Sequence, residues 1–415
     1  MKRSIKLAVA AAVALTSTAA FATNGDAMIG VGAKAVGMGG VGIGMSHGAE
    51  SALTNPAMIT AVEGTEISFG GTVFMPDVKT NIGQGETQSA AKLSVIPSVA
   101  IAQKATDNFY WGIGMYGVAG MGTDYRGTNN NYSMVTNLQL MQFVVPLAYK
   151  INGFSVGVAP ILQYGSLDIN YNTTGTPAGG STTKGVAQDF GVGYNLGVAY
   201  ETSGVTVGAS YKSAINMKYD GQLSNASKDF GLNNGAGLSD NLQQPAEIGV
   251  GASYKMDQHT FAADYKKIKW SSANGYKDFK WDDQNVYMIG YQFSQDNWAL
   301  RAGYNYAKSP ITAQPAANMM TPGNYDGAAL NTLNLLGFPA IIQTHYTVGG
   351  SYSFTKATSF DLAYVYSPKV TDTYDTSAMT QAMIYRSTGT PSAATSSVTT
   401  SHSQKAVTAQ LNFKF

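Results

Sequence analysis

Hydrophobic and polar positions alternate with a period of two over most of the chain. Near the C-terminus, Val407, Ala409, Leu411, Phe413 and Phe415 share one parity, and Thr408, Gln410, Asn412 and Lys414 share the other. Side chains of a strand point alternately to its two faces, so this pattern predicts an apolar face backed by a polar one. The same alternation places Phe190, Val192, Tyr194, Leu196, Val198 and Tyr200 opposite Asp189, Gly191, Gly193 and Asn195. It recurs with Trp298, Leu300, Ala302, Tyr304 and Tyr306 opposite Arg301 and Asn305, and again along 346–354 and 360–366. A soluble sandwich also alternates, but its strands average about five or six residues, whereas these segments run to about ten or more. The polar parity is rich in Gly, Ser, Asn and charge, and aromatic residues sit on the apolar parity near strand ends. Together these features predict an all-β fold, a transmembrane antiparallel β-barrel with a polar lumen and aromatic girdles at the lipid boundaries.

The links between strands predict the topology. Short ones fall at 105–108, 152, 202–203, 256–258, 295–296 and 355–357. Long polar or Gly-rich ones alternate with them at 77–92, 119–132, 170–187, 220–244, 271–281, 308–342 and 370–403. Barrels of this class have short periplasmic turns and long outer loops. Seven long and six short links imply fourteen strands over residues 64–415, with both termini on the periplasmic side.

The first 63 residues do not alternate. Lys2, Arg3 and Lys6 precede an apolar run at 7–15, and Ala20-Phe21-Ala22 supplies a small-residue cleavage site, so residues 1–22 read as a signal peptide cut near Ala22. Residues 23–63 are Gly-rich, with Gly30, Gly32, Gly37, Gly39, Gly40, Gly42, Gly44 and Gly48, and then carry Asn55-Pro56-Ala57. Such a segment suits a plug folded back into the lumen, with a flexible periplasmic linker as the alternative.

Composition narrows the function. The 26 Lys+Arg against 25 Asp+Glu leave a formal charge of +1, without the basic excess a nucleic-acid surface needs. With no Cys, disulfides, thiolate metal sites and cysteine nucleophiles are excluded. Gly37-Met38-Gly39-Gly40-Val41-Gly42 fits a G-x-G-x-x-G string, but no strand precedes it and no βαβ unit follows. His47, His259, His345 and His402 lack metal-ligand spacing, and no Ser/His/Asp grouping is recoverable. These features predict no enzyme activity, no cofactor and no metal.

The run Gly37-Met38-Gly39-Gly40, the stretch Asn55-Pro56-Ala57-Met58-Ile59-Thr60, residues 296–303 with Ser309-Pro310, and the closing Leu411-Asn412-Phe413-Lys414-Phe415 resemble the FadL/TodX family of outer-membrane transporters. The resemblance runs in order along the mature chain. It implies a fourteen-stranded barrel closed by an N-terminal hatch, and uptake of long-chain fatty acids or of aromatic or aliphatic hydrocarbons. It also implies capture in an outer apolar groove, passage to a lumenal pocket and sideways release at a kinked strand, with Asn55, Pro56 and Ala57 in the gating segment. The terminal Phe415 resembles the signal read by the outer-membrane assembly machinery, and a monomer in outer-membrane lipid is expected. A general diffusion porin is the alternative, and a surface enzyme or adhesin a more distant one.

Candidate ligand contacts come from apolar side chains in long loops. Met319, Met320, Leu330, Leu333, Leu335, Leu336 and Phe338 in the 308–342 loop are candidates for one wall of a groove, and Phe230, Leu232 and Leu238 for the facing one. For Leu333–Leu336 a short helix packed on the rim is the competing reading. Arg301 should point inward, either toward a ligand headgroup or into a lumenal ion-pair network. The family's fatty-acid members place basic residues in the pocket, whereas the corresponding strand end here reads Leu167-Asp168-Ile169-Asn170-Tyr171. An acid facing the pocket would disfavour a carboxylate, so neutral hydrocarbons are expected to bind at least as well as fatty acids.

Overall fold

The computed structural model describes residues 23–128, 130–172, 185–315 and 325–415. The expected signal peptide, and Met319 and Met320, lie outside the described residues. Fourteen long strands form the wall: β1 (Thr65–Asn81), β2 (Ser94–Lys104), β3 (Phe109–Asp124), β4 (Val135–Val144, then Leu147–Ile151 after a break at Pro146), β5 (Phe154–Asn170), β6 (Ala187–Thr202) and β7 (Val205–Lys212). The second half comprises β8 (Glu247–Met256), β9 (His259–Ile268), β10 (Gln284–Gln295), β11 (Trp298–Ala307), β12 (Thr344–Ser353), β13 (Thr358–Asp375) and β14 (Ser397–Lys414). All pairings are antiparallel, and β14 pairs with β1 from Thr399↔Asn81 to Lys414↔Glu66, which closes the barrel. Closure removes the edge strands that an open sheet would present to lipid.

The parity expected from sequence is the parity of the wall. On β14, Thr408, Gln410 and Asn412 are buried inside while Leu411 faces out, and on β6 Phe190 and Val192 are 63% and 76% exposed on the outer face. Outward aromatic pairs such as Tyr291 with Phe261 and Tyr304 with Tyr346 lie on neighbouring strands.

Several strand boundaries differ from expectation, among them the end of β1, which runs to Asn81. β3 continues through Gly120, Met121, Gly122 and Thr123 to Asp124, because β4 offers this Gly-rich stretch a full ladder of partners. β13 and β14 likewise pair beyond Val370, out to Asp375↔Ser397. In contrast, β7 stops at Lys212, and the chain leaves the wall so that Ile215, Met217 and Tyr219 are buried over the lumen.

One place in the wall is irregular. The β2–β3 ladder runs from Lys104↔Tyr110 to Ser98↔Tyr116 and ends there, while β3 carries on beside β4 without β2, with a bulge at Val118. Pro97 on β2, which has no N–H to donate, stands where the pairing stops. A bulge bends and twists its strand, and here the two strands part.

Residues 23–63 pack against inward-facing side chains of the strands. A two-strand turn pairs Thr23↔Met28 and Asn24↔Ala27. The helix α1 (Ala33–Gly37) and the tight turns Gly48–Leu53 and Pro56–Ala61 follow. Asp264 on β9 accepts from the backbone N–H groups of Gly42 and Ile43 at 2.7 Å each and of Gly44 at 3.3 Å. Thr347 accepts from Gly39 N at 2.9 Å, and Gln410 from Ala33 N at 2.9 Å. Glycine is required where the segment meets the wall closely, since a Cβ on Gly44 would lie 2.3 Å from the backbone nitrogen of Ala252.

Candidate functional site

The outer loops fold over the barrel mouth and create apolar surface in layers. Helix α2 (Leu223–Asp229) leads to Phe230, whose ring meets Tyr132 and Tyr171 edge-on at 5.2 and 5.4 Å. Phe230, Tyr132, Tyr325, Met379 and Met383 line an open groove of about 610 Å³ between that loop and helix α4 (Ser377–Thr388). Flexible Met side chains adapt to irregular apolar shapes. Leu232 is buried beside Phe230, and Leu238 is half-buried against the same cluster.

Helix α3 (Asp326–Gly337) forms the lid of the mouth. Leu333, Leu335 and Leu336 are buried in its packing and line neither this groove nor the pocket beneath. A helix ends with carbonyls that lack intrahelical partners, and the barrel rim supplies them. Thr400 donates to Leu335 O at 2.8 Å, Thr123 to Leu336 O at 2.9 Å and Thr136 to Gly337 O at 2.5 Å. The three leucines thus sit in a helix held on the rim.

Beneath the lid lies a smaller apolar pocket of about 280 Å³, lined by Phe338, Met121, Leu138, Leu242, Tyr276, Phe279 and Trp281 among others. Of the candidates in the lid loop, Phe338 reaches it. Trp270, Tyr276 and Trp281 pack with ring centroids 4.6 to 5.2 Å apart, which fixes the aromatic wall. Trp281 donates to Asn334 Oδ1 at 3.0 Å and Trp270 to Gln284 Oε1 at 2.9 Å, so neither indole N–H is left unpaired. The aromatic density of 270–281 was visible in the sequence, but its packing under α3 was not.

Deeper still, a cavity enclosing about 870 Å³, part of it open, is lined by Met28, Ile43, Val118, Ala119, Gln142, Lys212, Gln244, Glu247, Lys266 and Met288 among others. Glu247 sits between two lysines, 3.4 Å from Lys212 Nζ and 2.9 Å from Lys266 Nζ, which leaves one positive charge in excess. Sequence reasoning missed this cluster: Lys212 and Glu247 pair across a long loop, and Glu247 meets Lys266 through the register of the β8–β9 hairpin.

Between the pocket and the cavity stands Asp26. Its Oδ2 accepts from Gln244 Nε2 at 3.0 Å and from the Tyr276 hydroxyl, and its backbone oxygen accepts from Gly120 N at 3.0 Å. Its other carboxylate oxygen is buried with no partner. Burial pushes the carboxyl up to about 7.

Other expected residues lie elsewhere. Arg301 points inward, as expected, but to the periplasmic end, where it donates to Gln292 at 2.6 Å and Ser351 at 2.5 Å and lies 3.9 Å from Asp361. Lys34 of α1 joins the same acid at 3.8 Å. This is the ion-pair network, distant from the layered apolar surface. Asp168 is on the outward parity of β5, between inward-facing Leu167 and Ile169, with Asn170 as its hydrogen-bond partner. Asn55 donates to Ile43 O at 2.9 Å and to Val198 O at 3.2 Å, and accepts from Ala57 N at 3.1 Å. Pro56 then opens the Pro56–Ala61 turn, so the Asn-Pro-Ala stretch ties the N-terminal segment to β6.

The family model described as "Outer membrane protein transport protein (OMPP1/FadL/TodX)" matches residues 8–415. The long-chain fatty acid transport protein of Salmonella typhi is 25% identical over 250 residues, 53% of this chain and 57% of that protein, so the match spans little more than half of that curated relative. The crystal structure of the Pseudomonas putida toluene transporter TodX is similar with a TM-score of 0.65 at 18% identity, covering 93% of this chain and 99% of that one. A Pseudomonas aeruginosa FadL homologue gives a TM-score of 0.67 at 15% identity, covering 94% and 100%. At such identities the structural likeness speaks for the fold.

Proposed function

The chain belongs to the OMPP1/FadL/TodX family of outer membrane transport proteins, and from that premise we propose that it takes up hydrophobic small molecules, long-chain fatty acids or aromatic or aliphatic hydrocarbons, across the outer membrane. The observation that carries the reading is the series of two apolar spaces and a mixed, partly charged cavity that reaches a fault in the wall. The groove at Phe230 and Met383 captures the ligand. The aromatic pocket at Tyr276, Trp281 and Phe338 receives it. The cavity below touches Val118 and Ala119, where β2 and β3 part, and there the ligand leaves sideways into lipid.

The energetics favour this route over an aqueous pore. Apolar surface costs about 25 cal/mol per Å² to expose to water, and a dry path opening to the bilayer avoids that cost. In this reading residues 23–63 act as the hatch, and Asn55, Pro56 and Ala57 hold its bend. Leu232 and Leu238 back the groove at Phe230, while Phe415 addresses the chain to the assembly machinery, and the working unit is a monomer.

The test pairs native mass spectrometry of detergent-extracted protein with toluene binding. A retained fatty acid or hydrocarbon is expected. Trp281→Ala, which opens a void in the aromatic wall, is expected to weaken toluene binding about tenfold, a loss of about 1.4 kcal/mol, with the barrel still folded. Absence of any apolar ligand together with unchanged toluene binding in the variant would sink the proposal.

A further inference from the structure

The turn at 23–28 is placed where three spaces meet. Tyr276 belongs to the aromatic pocket and Gln244 to the deeper cavity, and both donate to the same oxygen of Asp26. On its backbone side the turn touches the stretch of β3 that β2 leaves unpaired: Ala27 bridges to Ala119, and Gly120 N donates to Asp26 O at 3.0 Å. Gly25 lies against Trp270, where a Cβ would come within 2.5 Å of the indole. The turn thus separates pocket, cavity and wall fault at once. We propose that Asp26 is a proton-controlled latch that holds this turn in place when neutral and releases it when ionised.

The chemistry follows from the unpaired oxygen. A neutral carboxyl at this site has donors for Oδ2, and its own proton can sit on Oδ1. An ionised one buries a charge with an oxygen left bare, which is costly in a low-dielectric site. The groups facing it do not offset that cost. Lys212 from the end of β7 attracts it, but Glu247 from β8 repels it, Lys266 from β9 is paired with Glu247, and Tyr276 and Tyr219 come from the loops.

In the released turn the carboxyl returns to the ordinary range near about 4. The latch is therefore strongest below that value, weakens between about 4 and about 7 as the released form gives up its proton first, and levels off above. The inference rests on the uptake reading only for its purpose; the latch itself is measurable without any ligand.

Because the chain has no Cys, an Ala27→Cys variant of the full protein in detergent reports on the turn through its rate of reaction with 4,4′-dithiodipyridine. Each rate is normalised to that of an exposed Gln258→Cys control at the same pH. The rate is expected to climb about tenfold or more from acid to neutral pH and then to level off. Adding Asp26→Asn should hold it at the acid-pH level throughout, and Tyr276→Phe, which removes one donor, should raise the acid-pH rate several-fold. A flat profile without Asp26→Asn would overturn the latch. So would the same rise with Asp26→Asn, which would give the control to another buried acid of the segment, such as Glu50. If labelling follows the expected course but no apolar ligand binds, the uptake reading fails and the latch stands.

Discussion

Parity and loop closure set where the charged side chains of the lumen act. Arg301 already meets Gln292, Ser351 and Asp361 near the periplasmic end, so it offers little to a ligand in the upper lumen. Asp168 faces out, so the repulsion expected of it does not reach the lumen, and the case for neutral ligands built on it loses its support. Lys212 and Lys266, sharing one Glu247, line the cavity instead. A buried carboxylate needs such compensation. Lys212→Ala with Lys266→Ala is therefore expected to weaken a long-chain fatty acid about tenfold relative to its neutral hydrocarbon analogue. Arg301→Ala should leave that ratio unchanged. Paired binding titrations on purified protein check both, and equal effects on acid and hydrocarbon would remove the lysines from headgroup recognition.

Single elements carry the closure. The N-terminal segment has little regular structure of its own, and its backbone groups find partners on the wall: Gly42, Ile43 and Gly44 on Asp264, Gly39 on Thr347, Ala33 on Gln410. Asn55 completes the set by joining Ile43 O and Val198 O, and leaving such acceptors unpaired costs about 1–3 kcal/mol each. Asn55→Ala with Pro56→Ala should then loosen this segment while the strands, which pair independently of it, still form a heat-modifiable barrel. Uptake of a radiolabelled apolar substrate by cells is expected to fall at normal protein abundance. Unchanged uptake would reduce the Asn-Pro-Ala stretch to filler. Helix α3 shows the same principle at the outer mouth, where three wall threonines satisfy its last carbonyls and so hold the lid.

At the scale of the whole molecule, the lumen has two different walls. Met121, Leu138, Leu140, Ile161 and Leu167 turn inward from β3, β4 and β5, whereas Arg301, Asn305, His345, Asp361, Gln404 and Gln410 do so from β11 to β14. The N-terminal segment meets both: α1 packs on β11 to β14, and the turns Gly48–Leu53 and Pro56–Ala61 pack on β1 to β6. The segment packs across the lumen between wall strands, and α3 is held on the rim by Thr123, Thr136 and Thr400. Planar-bilayer recordings should accordingly show conductance far below that of an open porin, and porin-like steps would favour the diffusion reading.

The alternation of apolar and polar residues determined the wall, because a strand has only two faces and lipid admits one kind of side chain. It yielded the inward aim of Arg301, and the links yielded the strand count and the up-and-down order. The outer ends of β3, β13 and β14 were missed since Gly-rich or polar stretches pair as readily as others once a neighbour is present. The layered sites were legible only in part. Phe230 and Phe338 stood out as apolar residues in polar loops, while Leu333, Leu335 and Leu336 gave the same signal yet serve helix packing. Asp26, Gln244 and Tyr276 are far apart in the chain, as Lys212 is from the Glu247–Lys266 hairpin, and no local rule brings these together. Their meeting depends on barrel closure and on loops folding back over the mouth, a long-range geometry that periodicity does not encode.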